Sequence, residues 1–258
     1  MGDKITAPKI RAMKKGIVCL TAYDATFGAI ADAAGVDLVL VGDSVGNVLL
    51  GYPSTVPVTL EQMVHHTAAT ARGVKRALIV ADLPFGSYQS SIAQAVDSAV
   101  ALMKAGAEAV KLEGTYTEEI RAIIKAGIPV MGHVGLTPQS VNLFGGHKVQ
   151  GKGDAGETVL NAAKAIEEAG AFAIVLELIP AALSKQITEA ISIPTIGIGA
   201  GAECTGQVQV LTDVLGIEPR QFRHAKPYMD GHKLMVEALQ AYAQEVRDGQ
   251  FPAAENSF

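Results

Sequence analysis

The sequence is poor in cysteine and in aromatic residues. Its 258 residues include two cysteines, Cys19 and Cys204, no tryptophan, and only 5% aromatic residues. Two cysteines can form at most one bridge, which excludes a disulfide scaffold and is typical of proteins of the reducing cytosol. We therefore expect a cytoplasmic protein.

Charge is also scarce. Charged residues make up 18% of the chain, and the net charge is −5, whereas an average domain has roughly 25% charged residues. Lysine and arginine form no run, since Lys14–Lys15 and Lys75–Arg76 are isolated pairs. This pattern argues against binding to nucleic acid or to an anionic membrane. So little charge is compatible with subunit contacts, although a large buried core would also explain it.

The sequence has no apolar run that approaches the roughly 18 uncharged residues required to span a membrane. Its first residues, "MGDKITAPKIRAMKKGIVCL", contain no uninterrupted apolar segment after the basic positions, which argues against a secretory signal. We therefore expect a soluble protein with no membrane partner.

What the sequence does contain is a recurring unit. A helical pattern ends at Ala-Gly or a similar break, and a short run rich in β-branched residues follows. Glycine suits the left-handed position that ends a helix, and apolar runs without alternation are typical of parallel strands covered on both faces. The unit occurs at residues 31–44, 69–84, 102–114, 123–135, 166–180 and 187–201.

These units predict the fold. A first strand at residues 16–24 and a weaker unit at 206–216 bring the number of β units to eight. Alternating strands and helices of that number favour a (β/α)8 TIM barrel of class α/β, with a doubly wound open sheet as the alternative. No linker divides the chain, so we predict one domain over residues 1–258. It would include a short N-terminal helix, a helix from about Asp230 to Asp248, and a tail.

Three helix starts carry the capping-box pattern. In this pattern a serine or threonine is followed three residues later by Glu or Gln, and the two side chains satisfy free backbone donors. The pattern predicts helices that open at Thr59–Gln62, Ser91–Gln94 and Thr115–Glu118.

Ionisable residues follow or end five successive predicted strands. Because the loops after the strands of a barrel meet at one rim, these side chains are expected to lie together. Any one of them could be structural, but five on one rim favour a functional site. The residues are Asp43 with Ser44, Asp82, Lys111 with Glu113, His133, and Glu177.

Three of these residues predict a metal site. Asp43, Asp82 and Glu113 supply hard oxygen ligands, and a few protein ligands with room for water suit Mg²⁺. Alternatively, Asp43 caps a turn and Glu113 pairs with Lys111. Three carboxylates at a half-buried mouth would repel one another, which favours a cation.

Two further residues have predicted proton-transfer or binding roles. Glu177 follows four apolar residues, and desolvation would raise its pKa toward that of a general base near neutral pH. A salt bridge with Lys185 is the alternative. His133 could donate to a substrate oxygen, orient a carboxylate, or be structural.

Three other stretches are weaker indications. The glycine-rich "GIGAG" (197–201) could hold an anion through backbone amides, or could only let the chain pass tightly over the mouth. Residues 132–154 form a long loop that is a candidate lid or subunit contact. His65–His66 lies on a predicted helix and is interpreted as a surface or interface pair.

The chain resembles the 3-methyl-2-oxobutanoate (ketopantoate) hydroxymethyltransferase family. The resemblance runs from about Thr21 into the C-terminal tail, and one small departure is His147, where the family more often has tyrosine. The matching stretches are "TAYD" (21–24), "LVGDSVGNVLLGYPSTVPVTLEQMVHHTAA" (40–69), "ADLPFGSY" (81–88), "VKLEG" (110–114), "GHVGLTPQSVNLFGGHKVQGKG" (132–153), "VLELIP" (175–180) and "IPTIGIGAG" (193–201).

The resemblance implies an activity and its participants. The family is a (β/α)8 barrel that uses Mg²⁺, one ion per subunit, and 5,10-methylenetetrahydrofolate. It hydroxymethylates 3-methyl-2-oxobutanoate to 2-dehydropantoate and releases tetrahydrofolate, the first committed step of pantothenate biosynthesis. Its members form large ring-like homo-oligomers, often decamers.

The resemblance also assigns roles to residues. Asp43, Asp82 and Glu113 match the metal residues, with Glu113 acting directly or through water. Glu177 matches the proton acceptor. The 2-oxoacid contacts match Asp43, Ser44, Asp82 and Lys111, to which we add His133 as a candidate.

Two rival functions stay open at this point. Another Mg²⁺-dependent enolate enzyme, such as a 2-oxoacid lyase or aldolase without folate, would share Asp43, Asp82 and Glu177. A non-catalytic barrel that serves as an oligomeric scaffold is also compatible with low charge, but it leaves the ionisable rim unexplained. No sequence pattern marks folate-binding residues.

Overall fold

Eight parallel strands close into a barrel in the order β1 to β8. The computed structural model describes residues 3–218 and 222–258. The strands are β1 (Ile17–Thr21), β2 (Leu38–Val41), β3 (Leu78–Asp82), β4 (Ala109–Lys111), β5 (Val130–Gly135), β6 (Ala173–Glu177), β7 (Thr195–Ile198) and β8 (Gly206–Gln209). The prediction of a (β/α)8 barrel is therefore confirmed, and the open sheet is excluded.

Helices alternate with these strands. They are α1 (Ala7–Ala12), α2 (Ala25–Ala33), α3 (Val45–Val48), α4 (Leu60–Gly73), α5 (Ile92–Lys104), α6 (Thr117–Lys125), α7 (Val141–Phe144), α8 (Ala155–Glu168), α9 (Ala181–Ala190), α10 (Leu211–Val214) and α11 (Gly231–Arg247). Short 3₁₀ turns cover Pro138–Ser140 and Ala254–Asn256. The predicted N-terminal helix is α1, and the helix expected from about Asp230 to Asp248 is α11.

The eighth strand closes the barrel where its sequence looked weakest. Gly206 pairs with Ile17 in the β1–β8 ladder. A Cβ at this position would lie 2.4 Å from the Ile17 carbonyl oxygen, so a side chain would push the two strands apart. Glycine therefore permits the close approach that completes the barrel.

Strands β2 to β7 bury both of their faces, as their apolar runs predicted, whereas β1 and β8 leave Val18 and Gln207 exposed. One set of residues fills the barrel interior, including Leu38, Leu40, Leu78 and Val80. Their neighbours along the chain, such as Val39 and Ile79, belong to the apolar cluster that the strands share with the surrounding helices. Because successive strand residues point to opposite faces, interior residues recur at every second position.

Two of the three predicted helix caps are confirmed. The Thr59 hydroxyl accepts from the Gln62 backbone N–H, and the Gln62 side-chain oxygen accepts from the Thr59 backbone N–H, which forms a complete capping box. Ser91 accepts from the backbone N–H of Gln94 and caps α5, but the Gln94 side chain accepts from Ser90 instead of Ser91, so this capping box is half formed.

The third predicted cap was wrong. Helix α6 begins at Thr117, after Tyr116, and has no side-chain cap. The Tyr116 ring packs edge-on against Tyr88, with ring centroids 5.2 Å apart. The backbone of Tyr116 is not helical (φ −88°, ψ 67°), so the helix starts only after it and Thr115 stays outside.

The chain forms two compact units, Met1–Val210 and Leu211–Phe258. The first contains the whole barrel, and the second contains α10 and α11. One domain over the whole chain stays a prediction. None of the helices in the described residues combines the length and the apolar character that crossing a membrane requires.

Candidate active site

Five of the predicted site positions, from four strands, continue the interior columns of the barrel. Asp82 follows Leu78 and Val80 at every second position, and Lys111 and Glu113 follow Ala109 in the same way. His133 follows Met131, and Glu177 follows Ala173 and Val175. The apolar layers therefore fill the barrel below, while the next positions deliver ionisable groups to its carboxyl end. This period of two explains why a cation at the end of β4 and a carboxylate two residues beyond it face the same site.

Asp43 reaches the site differently, because its strand ends two residues earlier. After β2 ends at Val41, the chain turns at Gly42, and the Asp43 backbone N–H donates to Asp82 Oδ2 at 3.0 Å. The adjacent Ser44 hydroxyl lies 2.9 Å from the Tyr23 hydroxyl. The turn thus fixes Asp43 and Ser44 against neighbouring strands.

The partner of Lys111 is Asp82. Their charged atoms, Nζ and Oδ1, are 3.1 Å apart, and the two side chains are 5% and 3% exposed. The sequence left open a Lys111–Glu113 pair, but the ion pair that forms joins two strands. Lys111 on β4 is the register partner of Asp82 on β3.

His133 lies between Lys111 and Glu177. Its Nδ1 is 3.4 Å from Lys111 Nζ, and its Nε2 is 3.3 Å from Glu177 Oε2. Burial and the Lys111 charge lower the pKa of His133 well below its ordinary value, so the ring is neutral. An ammonium group can only donate, so Nδ1 would accept from Lys111, although Nδ1 also lies 3.6 Å from Glu113 Oε1. The other ring nitrogen, Nε2, faces Glu177 but makes no hydrogen bond within the described residues. The sequence offered Lys185 as an alternative partner of Glu177, but Lys185 Nζ forms an ion pair with Glu189 Oε1 at 3.9 Å.

The site collects more acidic than basic side chains. Burial, reinforced by the Asp82 charge, raises the pKa of Asp43 to about 7, against opposing effects of Lys111 and Gln139. Burial and the Asp43 charge also raise the pKa of Glu113 well above its ordinary value. Burial would lower the pKa of Lys111, but nearby carboxylates, Asp82 foremost, outweigh it and raise that pKa. One ammonium group thus faces several buried carboxyl groups, a situation that a bound cation would relieve.

The residues fit a divalent cation held in part by water and substrate. Asp82 Oδ1 is a buried atom that makes no hydrogen bond within residues 3–218 and 222–258, although it faces Lys111. Within the same residues, no three His, Cys, Asp or Glu side chains form a ready-made metal cage. Mg²⁺ commonly binds through one or two carboxylates and keeps several waters. A metal held by Asp43, Asp82 and Glu113 stays a prediction.

Sequence reasoning missed two buried residues of the site, Gln139 and Tyr88. Gln139 donates from Nε2 to Asp43 Oδ2 at 2.8 Å and from its backbone N–H to Glu113 Oε2 at 2.9 Å. The Tyr88 hydroxyl donates to Gln139 Oε1 at 2.8 Å. Gln139 belongs to the stretch "GLTPQS", and no spacing in that stretch marks it as a site residue.

The weaker predictions have mixed outcomes. In the "GIGAG" stretch, a Cβ at Gly201 would lie 2.7 Å from Ala181 Cβ, which supports tight passage of the chain. The segment 132–154 is more regular than expected, because it contains the end of β5, the turn Pro138–Ser140 and α7. The surface interpretation does not hold for His66, which is half-buried and donates from Nδ1 to the Tyr23 carbonyl at 2.8 Å.

Comparison with known proteins gives consistent matches over nearly the whole chain. The ketopantoate hydroxymethyltransferase family matches residues 4–254. A 3-methyl-2-oxobutanoate hydroxymethyltransferase of Aeropyrum pernix is 51% identical over 260 residues, which covers 99% of this chain and 95% of that protein. One from Carboxydothermus hydrogenoformans is 52% identical over 264 residues, covering 99% and 96%.

A solved structure shares the fold at low identity. A phosphonopyruvate hydrolase in complex with oxalate and Mg²⁺ superposes with a TM-score of 0.64 at 14% identity, covering 98% of this chain and 91% of that one. At this identity the likeness concerns the barrel alone.

Proposed function

The chain belongs to the ketopantoate hydroxymethyltransferase family and is an enzyme of that family, and from this premise we propose its co-substrate, its metal and its base. The one-carbon donor is 5,10-methylenetetrahydrofolate, and the products are 2-dehydropantoate and tetrahydrofolate. The reaction takes place in the cytoplasm, with which the two free cysteines are consistent.

The observation that carries the proposal is the difference in exposure among the site carboxyl groups. The Glu177 side chain is 17% exposed, whereas those of Asp82 and Glu113 are 3% and 2% exposed. A substrate at the mouth can therefore reach Glu177, while the deeper carboxylates remain for charge stabilisation. This division of roles supports Glu177 as the general base.

The deeper residues bind and polarise the oxoacid. Lys111 supplies a buried positive charge for the substrate carboxylate or keto oxygen, and Ser44 supplies a hydroxyl group. Asp43 and Asp82, with Glu113 directly or through water, would hold Mg²⁺. When bound, the ion supplies positive charge that stabilises negative charge developing on the keto oxygen.

Proton removal starts the reaction. Glu177 takes the proton from C3, while neutral His133 keeps its Nε2–H toward the Glu177 carboxyl group and so orients it. The C3–H of a free 2-oxoacid is too weakly acidic for a carboxylate alone, so electrostatic stabilisation of the enolate must supply most of the rate enhancement. Lys111 contributes to this stabilisation.

The transfer of the one-carbon unit then consumes one water molecule. C3 forms a bond to the methylene carbon, and water supplies the hydroxyl oxygen of the product. The methylene carbon loses its bonds to N5 and N10 of the folate. These two nitrogens take up the C3 proton and one water proton, which yields tetrahydrofolate.

Turnover with and without folate tests this function. We expect the purified protein with Mg²⁺ to form 2-dehydropantoate and tetrahydrofolate in equal amounts from 3-methyl-2-oxobutanoate and 5,10-methylenetetrahydrofolate. With formaldehyde as the only one-carbon source, the rate is expected to fall severely. Equal rates with formaldehyde alone would instead identify an aldolase, the main rival.

A homo-oligomer, with the decamer as the expected form, is also proposed. Helix α11 exposes an apolar strip that includes Val236 and Leu239, and Leu239 is 66% exposed. Burial of this apolar surface against another copy would stabilise an assembly. Light scattering should give a mass several times the 26.8 kDa of one chain, and Leu239→Glu should lower it. A wild-type mass of one chain would contradict the proposal.

A further inference from the structure

We infer that Gln139 is a positioning residue that sets the orientation of the Asp43 and Glu113 carboxylates for metal binding. This inference rests on the proposed metal site and extends it to a residue outside the five strand ends. Gln139 lies in the short turn Pro138–Ser140 that follows β5. It is 4% exposed, although it belongs to a loop.

The Gln139 amide has a single satisfactory orientation. Its two Nε2 hydrogens go to Asp43 Oδ2 at 2.8 Å and to the Leu83 carbonyl at 2.9 Å. Its Oε1 accepts from the Tyr88 hydroxyl at 2.8 Å and from Gln89 Nε2 at 3.2 Å. A flipped amide would place its oxygen against two acceptors and lose the bonds to Asp43, Leu83 and Gln89, which is costly in a buried site.

One residue thus connects carboxylates that come from two strand ends. The Gln139 side chain occupies one oxygen of Asp43, and its backbone N–H occupies one oxygen of Glu113, Oε2. Each carboxylate is then prevented from rotating freely. The second oxygens differ, because Oδ1 of Asp43 remains for other partners, whereas Oε1 of Glu113 already lies 3.6 Å from His133 Nδ1.

The network also closes on itself. The backbone N–H of Glu113 donates to the Tyr88 hydroxyl at 3.2 Å. Tyr88 in turn donates to Gln139, and Gln139 donates to the Glu113 carboxylate. Closed networks of this kind hold their members more firmly than isolated bonds do.

An amide suits this role better than a charged donor would. Lysine or arginine at this position would also donate to both carboxylates, but it would neutralise the negative charge that attracts a cation. Gln139 donates hydrogen bonds and adds no net charge. It therefore favours the ionised form of Asp43 while leaving that charge available to the metal.

Titration with Mn²⁺ as a spectroscopic probe tests the inference in the absence of turnover. Free Mn²⁺ would be measured by electron paramagnetic resonance with the purified wild type, Gln139→Leu and Gln139→Met. We expect both variants to bind Mn²⁺ about 10- to 100-fold more weakly, the range typical for outer-shell partners of metal ligands. Two substitutions are used so that one poorly folding variant does not decide the result.

Gln150→Leu is the matched control. Gln150 lies in the same loop, and its side chain bonds to the Lys148 carbonyl rather than to a site carboxylate. Its Mn²⁺ affinity should equal that of the wild type. Thermal unfolding of each variant would confirm that the titrated protein is folded.

The outcomes separate this inference from the proposed function. If the wild type binds Mn²⁺ and folded Gln139 variants bind it equally well, Gln139 has only a structural role and the inference is overturned. If the wild type binds no Mn²⁺, the proposed metal site fails and the inference fails with it. Weaker binding by the folded Gln139 variants alone supports both.

Discussion

The Glu177→Gln variant is expected to exchange the C3 proton of 3-methyl-2-oxobutanoate with solvent deuterium about 10²- to 10⁴-fold more slowly than the wild type, the usual range for loss of a general base. Glutamine is nearly the same size as glutamate, so the packing against His133 should survive. The amide has no basic oxygen that can accept the C3 proton. Exchange would be followed by proton NMR in D₂O with Mg²⁺ present.

Binding must be measured beside exchange, because lost binding would also slow exchange. Calorimetry should give Glu177→Gln a Mg²⁺-dependent affinity for the oxoacid close to that of the wild type, since the base is not among the proposed binding residues. Glu189→Gln, at an exposed position on α9, is the matched control and should exchange normally. Exchange by Glu177→Gln at the wild-type rate would remove Glu177 from the role of base.

The Asp82→Asn variant is expected to lose its response to Mg²⁺. Mutating a residue that only supports a metal ligand lowers metal affinity by about 10- to 100-fold, so loss of a proposed ligand should lower it on the order of 100-fold or more. Asparagine can still accept from the Asp43 backbone N–H through its remaining oxygen. It removes the charge of the carboxylate whose second oxygen faces Lys111 at 3.1 Å. Mg²⁺ titrations of oxoacid exchange and of Mn²⁺ binding would both report the change.

This substitution also has a stability cost that must be separated from the metal effect. Removing one partner of a buried ion pair destabilises a protein by about 3–5 kcal/mol, whereas replacing both partners is often close to neutral. The double variant Asp82→Asn/Lys111→Met should therefore unfold at a temperature closer to that of the wild type. It should still fail to bind the metal.

The control for this experiment is Asp97→Asn, at an exposed position on α5. It should retain both the Mg²⁺ response and the unfolding temperature of the wild type. A normal Mg²⁺ titration of folded Asp82→Asn would contradict the metal assignment.

The barrel and the rim at which its ionisable residues collect could both be predicted from the amino-acid pattern. Eight apolar runs separated by helical patterns can close only a few kinds of sheet, and the period of two along each strand decides which positions face inward. Asp82, Lys111, Glu113, His133 and Glu177 could therefore be placed at one end of the barrel from their order alone. Local rules also sufficed where nothing competed with them, as at the capping box of Thr59 and Gln62.

Which side chains become partners depends on tertiary packing and could not be predicted from the pattern. The spacing of two residues suggested Glu113 as the partner of Lys111. The register between β3 and β4 instead places Asp82 Oδ1 3.1 Å from Lys111 Nζ. Helix α6 begins at Thr117, two residues after the predicted cap at Thr115, and the intervening Tyr116 packs against Tyr88. Gln139 joins two carboxylates far away in sequence and carries no pattern of its own. Sequence periodicity fixes the direction of a side chain on its own element, whereas the distance between two elements depends on register, loop path and packing.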